Sequence, residues 1–347
     1  MLAPAWINRV FGAPADPRAA KIVAGTMAID MHNHVYPAGT QQGPQGGDPG
    51  STLSLGEELK LSGLTAICAA FALDRAGNKQ PGDARVNFLK WLDAIDAELE
   101  KGHVSRALTL KDLRAAHKSG KQAIVQSVEG AHFIEGHVDR IEEVYKRGLR
   151  DLQLLHDNND MVAPLGDING GTGLGGLTAT GADVVKECNR LRILVDVAHA
   201  SSGTLQGALK IAKQPFIVSH TSLDGWKNPG SRMASRTIAK QDAKAVADAG
   251  GVIGVWTKGT NSPKEYAADI KMVVEEIGID HVGIGTDDDI LSSRTGAGLN
   301  RAWQEMTGGF FPTIVEEFLR QGLTTEEIMK VSGANFARVF GVATGEA

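Results

Sequence analysis

The 347-residue chain contains 42% hydrophobic and 22% charged residues, which is the composition of an ordinary globular protein. Its formal net charge of −5 gives no electrostatic reason to expect nucleic acid or an anionic membrane as the partner, so a small-molecule substrate is expected. The sequence has no apolar run of about 18 residues, the length that would predict a membrane span. Cys68 and Cys188 lie in an apolar run and a helix-like run, and we predict that both are reduced packing residues rather than part of a disulfide framework.

The first twenty residues contain Pro4, Pro14 and Pro17 and no apolar stretch typical of a signal peptide. We therefore expect a cytoplasmic protein. A periplasmic or membrane-anchored protein is the alternative if an upstream signal segment has been removed. The sequence leaves the oligomeric state open, with a homodimer as one option.

Short apolar stretches rich in Val, Ile and Leu recur along the chain and predict eight strands. They are Ala28–Asp30, Thr65–Leu73, Ala123–Ser127, Asp151–Leu155, Ile193–Val197, Phe216–Ser219, Gly251–Trp256 and His281–Gly285. Segments with helical periodicity lie between and after these stretches. Examples are Val86–Glu100, Arg140–Arg147, Gly181–Leu191, Leu205–Ala212, Lys240–Ala249, Lys264–Ile277 and Ala302–Arg320.

Apolar strands that alternate with helices predict an α/β fold with a parallel sheet, and eight such units fit a closed (β/α)₈ TIM barrel better than an open sheet. We predict one barrel domain over residues 26–347, preceded by an N-terminal arm over residues 1–25. The glycine-rich segment Gly166–Gly176 does not open a helix in the nucleotide-binding pattern, so it is predicted to be a loop. The Gly/Gln/Pro-rich stretch 39–50 is predicted to be a mobile loop on the active-site face.

Histidines recur at the predicted strand ends, from which the catalytic groups of a barrel project. The first strand ends in the sequence Asp-Met-His-Asn-His, and because strand side chains alternate, His32 and His34 are expected to face the same way and bind one metal ion. His199 and His220 end two successive strands, and their imidazoles suit a second ion such as zinc. Each of these histidines taken alone also fits a structural role.

One carboxylate and two further histidines lie at or just beyond the ends of the third and fourth predicted strands. Glu129 ends the third strand, where its carboxylate can bridge two cations, although a solvated loop acid explains it equally well when it is taken alone. His132 lies just beyond that strand and is expected not to be a ligand. His156 ends the fourth strand, and the polar residues 157–160 that follow it also fit a capping or turn role.

The last predicted strand leads into three consecutive acids. Asp287 comes first at the barrel mouth and is our candidate for the general base, whereas Asp288 and Asp289 are expected to be loop acids. Arg232 and Arg236 follow the sixth strand, near enough in sequence to hold an anionic substrate group, although surface arginines are common.

These motifs resemble those of the membrane dipeptidase family, also called renal dipeptidases, within the amidohydrolase superfamily. The resemblance spans roughly residues 28–340. The matching segments are Asp30–His34, Glu129–His132, Leu154–His156, Gly176–Gly181, Glu187–Leu191, Val195–Ser201, Ser219–Ser222, Arg236–Ile238, Gly250–Val255, His281–Asp287, Thr325–Ile328 and Gly333–Val339.

The resemblance implies a site with two divalent metal ions, zinc being favoured. His32 and His34 would bind the first ion, His199 and His220 the second, and Glu129 would bridge them. One departure concerns this site: the family usually has Asp at the position of His34, so the first ion is expected to be held more weakly.

The resemblance also implies the substrate-handling residues. His156 would polarise the scissile carbonyl or its oxyanion, Arg236 would hold the substrate carboxylate, and Asp287 would transfer protons. A second departure is the segment 288–290, which reads Asp-Asp-Ile where the family tends to have an aromatic residue, Asp and Gly. The substrate wall is therefore expected to differ.

The expected activity is that of a zinc-dependent dipeptidase, in which a metal-bound hydroxide attacks the amide bond of a short peptide with a free C-terminal carboxylate. One alternative is a related amidohydrolase that acts on N-acyl amino acids, cyclic amides or lactones, because the fold does not select the leaving group. A second alternative is a non-catalytic barrel that only binds metal or ligand.

Overall fold

The structure is a computed structural model, and it describes residues 16–37, 54–225, 234–290, 302–303, 306 and 308–346. The predicted loop over residues 39–50, Arg232 and most of the predicted N-terminal arm lie outside these ranges. Across the described ranges, no helix is long and apolar enough to span a bilayer.

The described strands form one parallel sheet. They are β1 Ile29–Val35, β2 Ala66–Ala70, β3 Val104–Arg106, β4 Gln122–Glu129, β5 Leu149–Gln153, β6 Leu194–Asp196, β7 Ile217–Thr221, β8 Val252–Val255, β9 Val282–Ile284 and β10 Asp288–Ile290. Eight of them, β1, β2 and β4 to β9, follow one another in order, and β1 pairs with β9 through Asp30 and Ile284. This pairing closes the sheet, so the predicted (β/α)₈ barrel is confirmed.

The helices of the described ranges include the crossover helices between the barrel strands. They are α1 Pro17–Gly25, α2 Leu55–Ser62, α3 Asp83–Glu100, α4 Leu110–Ser119, α5 Arg140–Lys146, α6 Ala179–Leu191, α7 Ser202–Ile211, α8 Lys240–Asp248, α9 Pro263–Ile277, α10 Phe310–Arg320, α11 Thr325–Met329 and α12 Asn335–Thr344. Helix α1 lies within the predicted arm and packs against α10.

Three differences from the sequence prediction have physical causes. The predicted helix Ala302–Arg320 is wrong at its amino end, because Gly309 has an extended backbone and caps α10, which begins at Phe310. Strand β1 continues beyond Asp30 to Val35, so both of its histidines lie inside a buried strand rather than after it. The three-residue strands β3 and β10 were missed, since so short a segment shows no periodicity.

Strand β10 extends the barrel at its mouth. It pairs in parallel with the carboxyl half of β1, with Asn33 opposite Asp288 and His34 opposite Asp289. The expectation that Asp288 and Asp289 are loop acids is therefore wrong, since both are strand residues and Asp288 is buried. The pairing places these acids beside the first pair of predicted metal ligands.

The apolar core has two parts. The larger cluster fills the space between the strands and the surrounding helices. The smaller one joins side chains from the barrel strands, such as Met31 and Val125, to Phe336 and Phe340 of α12. Cys68 and Cys188 are buried and form no disulfide, as predicted.

Candidate metal centre and substrate cleft

The carboxylate of Glu129, at the end of β4, is 1% exposed and is surrounded by imidazole rings. Five Nε2 atoms lie 3.2–3.7 Å from its oxygens. They belong to His32, His34, His156, His199 and His220. The structure thus brings together side chains from four regions of the barrel around one acid, as expected for the carboxyl ends of parallel strands.

Several of these polar atoms lack the partner that a buried polar atom normally has. His32 Nε2 and both oxygens of Glu129 are buried and form no hydrogen bond within the described residues. The Nε2 atoms of His199 and His220 face each other at 2.8 Å. Nitrogen and carboxylate lone pairs that converge in this way are the donors that zinc binds, so the side chains present fit a metal site.

Two groups of candidate ligands share Glu129. One contains His32 and His34, the other contains His199 and His220, and in each group the ligand atoms lie within 4.8 Å of one another. These are the groupings expected from the sequence. A single carboxylate that belongs to both groups can bridge two cations.

Asp287 lies beside both groups in a strained backbone conformation. Its φ of 58° is in the left-handed region, which a non-glycine residue adopts rarely and mainly at functional sites. It forms a third candidate ligand group with His32 and His220. Burial opposes ionisation, but the positive charge of Lys258 and a hydrogen bond from His34 hold the pKa of Asp287 well below its usual range. The carboxylate is therefore ionised.

His34 is held from both sides of its ring. Its Nε2 lies 3.1 Å from Asp287 Oδ1, and its Nδ1 lies 3.3 Å from the hydroxyl of Tyr36. The Tyr36 ring stacks on it with a centroid distance of 5.7 Å. Burial opposes protonation, but the negative charges of Glu129 and Asp287 outweigh it and raise the pKa of His34 to about 9. The two acids thus favour positive charge at this position.

Two buried aspartates, one on each side of the candidate metal centre, fix the backbone next to the site residues. Asp30 accepts hydrogen bonds from the backbone N–H of Thr286 at 2.8 Å and from its hydroxyl at 2.6 Å, which fixes the segment leading to Asp287. Asp196 accepts from the backbone N–H groups of Ala198 at 2.9 Å and Ser219 at 3.0 Å. These bonds tie β6 to β7 directly before the second pair of histidines.

Asp74, which lies in a short 3₁₀ turn after β2, was not among the site residues predicted from the sequence. Its Oδ1 is 2.6 Å from His156 Nδ1, and both side chains are at most 3% exposed. Its Oδ2 accepts a hydrogen bond from the backbone N–H of Asn158 at 3.1 Å. Burial lowers the pKa of His156, and the charges of Glu129 and Asp74 oppose that effect. The one available signal was an acid placed just after a barrel strand, at the same end as the other site residues.

His132 lies outside every candidate ligand group found among the described residues, as expected. Its Nε2 is 2.9 Å from the carbonyl oxygen of Asn158. The ring packs over Gly130, where an added Cβ would stand 2.6 Å from the ring and where φ is 80°. Gly130 is therefore required for the turn that brings His132 back over the end of β4.

A cavity of about 330 Å³ adjoins the centre. It is lined by His156, Asp157, Asn158, Ile168, Asn169, His199, Ser235 and Arg236. Arg236 donates from Nη2 to Asp157 Oδ1, and Arg75 donates from Nη2 to Asp157 Oδ2 at 2.8 Å. The structure therefore places Arg236 beside His156, as a carboxylate-binding residue would need. It pairs Arg236 with Asp157, for which the sequence left a capping or turn role open.

The family model for membrane dipeptidase, peptidase family M19, matches residues 18–346. The chain belongs to the membrane dipeptidase family. It is 30% identical to Dipeptidase verJ of Clonostachys rogersoniana over 259 residues, which cover 72% of this chain and 63% of that protein. The chain thus spans less than two thirds of the length of that relative.

Solved structures share the fold of this membrane dipeptidase family member. The probable dipeptidase PvdM of Pseudomonas aeruginosa superposes with a TM-score of 0.77 at 18% identity, covering 95% of this chain and 98% of that one. A metallo peptidase of Rhodobacter sphaeroides, solved with a phosphinate mimic of the dipeptide L-Ala-D-Ala, superposes with a TM-score of 0.66 at 16% identity, covering 90% and 99%. At these identities the likeness concerns the barrel alone.

Proposed function

We propose that this member of the membrane dipeptidase family is a metal-dependent dipeptidase that binds two divalent cations, with zinc as the favoured metal. It hydrolyses the amide bond of a short peptide with a free C-terminal carboxylate. The observation that carries the proposal is the position of Glu129 between two pairs of histidines. The phosphinate mimic of L-Ala-D-Ala bound by the Rhodobacter sphaeroides protein supports a dipeptide as the substrate class.

His32, His34 and Glu129 would hold one cation, and Glu129, His199 and His220 the other. Two cations bound there would supply a hydroxide nucleophile near neutral pH, because divalent metals lower the pKa of bound water from about 15.7 toward about 7. Imidazole nitrogens favour zinc over magnesium or calcium, which prefer all-oxygen sites.

Three further side chains handle the substrate. Asp287, ionised and next to both ligand groups, accepts the proton of the attacking water and passes it to the amine that leaves when the C–N bond breaks. His156 polarises the scissile carbonyl and is oriented by Asp74. Arg236, in the wall of the adjoining cavity, binds the carboxylate of the peptide.

The test is metal analysis of the purified protein together with hydrolysis of a dipeptide panel by the zinc-loaded form. We expect close to two divalent ions per chain and cleavage of at least some dipeptides. A reproducible stoichiometry near one would contradict the binuclear site. Turnover of N-acyl amino acids, cyclic amides or lactones without dipeptide cleavage would reassign the substrate class. Bound metal without any turnover would indicate a binding protein.

Asp287→Asn keeps the size of the side chain but removes its ability to take up a proton. We expect kcat to fall by about a hundredfold or more, the usual scale for a general acid or base, with metal content unchanged. Asp289→Asn is the matched control, because Asp289 belongs to none of the candidate ligand groups of the described residues. An active Asp287→Asn enzyme would contradict the proton-transfer role, and loss of metal would make Asp287 a ligand instead.

A further inference from the structure

We propose that Asp157 is an internal competitor for the carboxylate-binding group of Arg236, held in place by Arg75, and that it sets how strongly the site prefers substrates with a free carboxylate. The inference rests on the proposed function. It concerns the strength and selectivity of the carboxylate subsite.

Arg236, Asp157 and Arg75 are joined by hydrogen bonds beside the cavity. Asp157 follows His156 directly, and its two oxygens accept hydrogen bonds from two guanidinium groups, Oδ1 from Arg236 and Oδ2 from Arg75. Only 11% of the Arg236 side chain and 17% of the Asp157 side chain are exposed. Because both charges are largely removed from water, each has a strong effect on an ion bound next to it.

Arg236 retains free hydrogen-bonding capacity. A guanidinium has five N–H donors, and within the described residues that of Arg236 makes a hydrogen bond only through Nη2, to Asp157. The side chain also lines the cavity of about 330 Å³. A substrate carboxylate can therefore reach Arg236 while Asp157 is still bound to it.

The metal centre and Arg236 together restrict where that carboxylate lies. Asp157 Oδ2 is 3.9 Å from His156 Nε2, which in turn is 3.2 Å from Glu129 Oε1. A short peptide that spans from the metal centre to Arg236 must therefore place its own carboxylate near that of Asp157. Two carboxylates that share one guanidinium repel each other, and this repulsion lowers the affinity for the acid but not for its amide.

Arg75 moderates the competition. By binding the second oxygen of Asp157, it supplies a further positive charge and shares the negative charge of Asp157 with Arg236. Removing the Asp157 charge should strengthen carboxylate binding, and removing the Arg75 charge should weaken it. The opposite signs of these two effects follow from the opposite charges of Asp157 and Arg75.

The experiment compares the best dipeptide substrate with its C-terminal amide in Asp157→Asn, Arg75→Gln and wild-type enzyme. We expect Asp157→Asn to lower KM for the acid by about tenfold, the scale of one charge-assisted hydrogen bond, and to leave KM for the amide within about twofold. Arg75→Gln should raise KM for the acid and spare the amide. Arg236→Met should abolish the preference for the acid. Asp139→Asn, which removes an equal charge from an exposed side chain, is the control for general electrostatics.

A binding measurement separates this proposal from the proposed function. Titration calorimetry with N-acetyl-L-alanine and its amide needs no turnover, so it reports on the subsite even if no dipeptide is cleaved. Tighter binding of the acid by Asp157→Asn, with the amide unchanged, would support the competitor. Unchanged or weaker binding of the acid would overturn it, because Asp157 would then orient Arg236 rather than compete for it.

Discussion

Charged side chains around Glu129 are buried against one another, so the site depends on which residue carries each charge. His34 is the clearest case. It is a neutral or cationic group between the acids Glu129 and Asp287, at 3.7 and 3.1 Å. An imidazole contributes a nitrogen ligand to a cation but no negative charge, whereas a carboxylate contributes both.

His34→Asp should therefore strengthen binding of the first cation. We expect a lower Kd for one of the two sites, measured by zinc titration against a competing chelator, with the other site little changed. The reason is that a third carboxylate beside Glu129 and Asp287 increases the attraction for a divalent ion. An unchanged or higher Kd would mean that His34 is already the preferred ligand in this geometry.

Asp74→Asn tests the positioning of His156. The donors of Asn158 face Oδ2 of Asp74, so an asparagine should turn its oxygen toward Asn158 and its NH₂ group toward His156 Nδ1. The substitution also removes the negative charge that favours the protonated imidazole, the form that donates from Nε2 to a carbonyl oxygen. We expect kcat to fall about ten- to a hundredfold, as for other residues that orient a site histidine. Metal content should stay at the wild-type level because His156 is not proposed as a ligand. Full activity would show that Asp74 only supports the turn.

At the carboxyl end of the barrel, the close approach of strands β7, β8 and β9 positions the segment that leads to Asp287. The carbonyl oxygen of Ser219 in β7 lies where a Cβ at Gly254 or Gly285 would stand, at 1.9 and 1.8 Å. Only residues without a side chain permit this contact. Gly285 directly precedes Thr286 and Asp287, so the close packing of these strands also determines where the proposed proton acceptor lies.

Gly285→Ala should therefore destabilise the protein and lower its activity. The new methyl group would overlap backbone rather than a flexible side chain, and overpacking of this kind costs about 1–3 kcal/mol or more. Gly25→Ala is the matched control, because nothing lies within 4 Å of a Cβ at that position at the end of α1. Denaturant titration measures the free energy of unfolding of both variants. Equal stability of the two variants would show that β7, β8 and β9 can move apart to accommodate the methyl group without loss of stability.

On the scale of the whole molecule, closure of the barrel concentrates buried charge at one end. Glu129 is 1% exposed and Asp287 is mostly buried, and burial lowers the pKa of His32 and of His220, so these two imidazoles add no positive charge beside the acids. Buried acids without full compensation reduce stability. Bound cations would compensate them, and a ligand that binds only the folded state raises the free energy of unfolding.

Removal of divalent metal should therefore lower Tm reversibly. At a metal concentration of about a hundred times Kd, each site adds about 2.7 kcal/mol to the free energy of unfolding, which corresponds to a shift of several degrees. Thermal unfolding with and without a chelator, followed by zinc re-addition, measures the shift. Glu129→Gln should show a much smaller shift, because it removes the shared ligand. A chelator-independent Tm in the wild type would contradict tight metal binding.

The sequence by itself determined the barrel and the group of ligand candidates. Apolar strands that alternate with helices have few ways to bury both faces, and the parallel strands of such a barrel all bring their carboxyl ends to one face. His32, His199 and His220 are therefore predictable neighbours although they are far apart in sequence. The side chains converge because the barrel strands all run in the same direction, and the local sequence pattern of each strand shows where that strand ends.

Only the tertiary structure decided how the charged side chains pair. Asp74 and Asp157 lie in turns without periodicity, and their partners come from other loops, so no local pattern predicts the contacts with His156 and Arg236. The pairing of β10 with β1 likewise depends on the path of the chain after Asp287. Such contacts are set by the distance between loops at the barrel mouth, which long-range packing determines and sequence spacing does not.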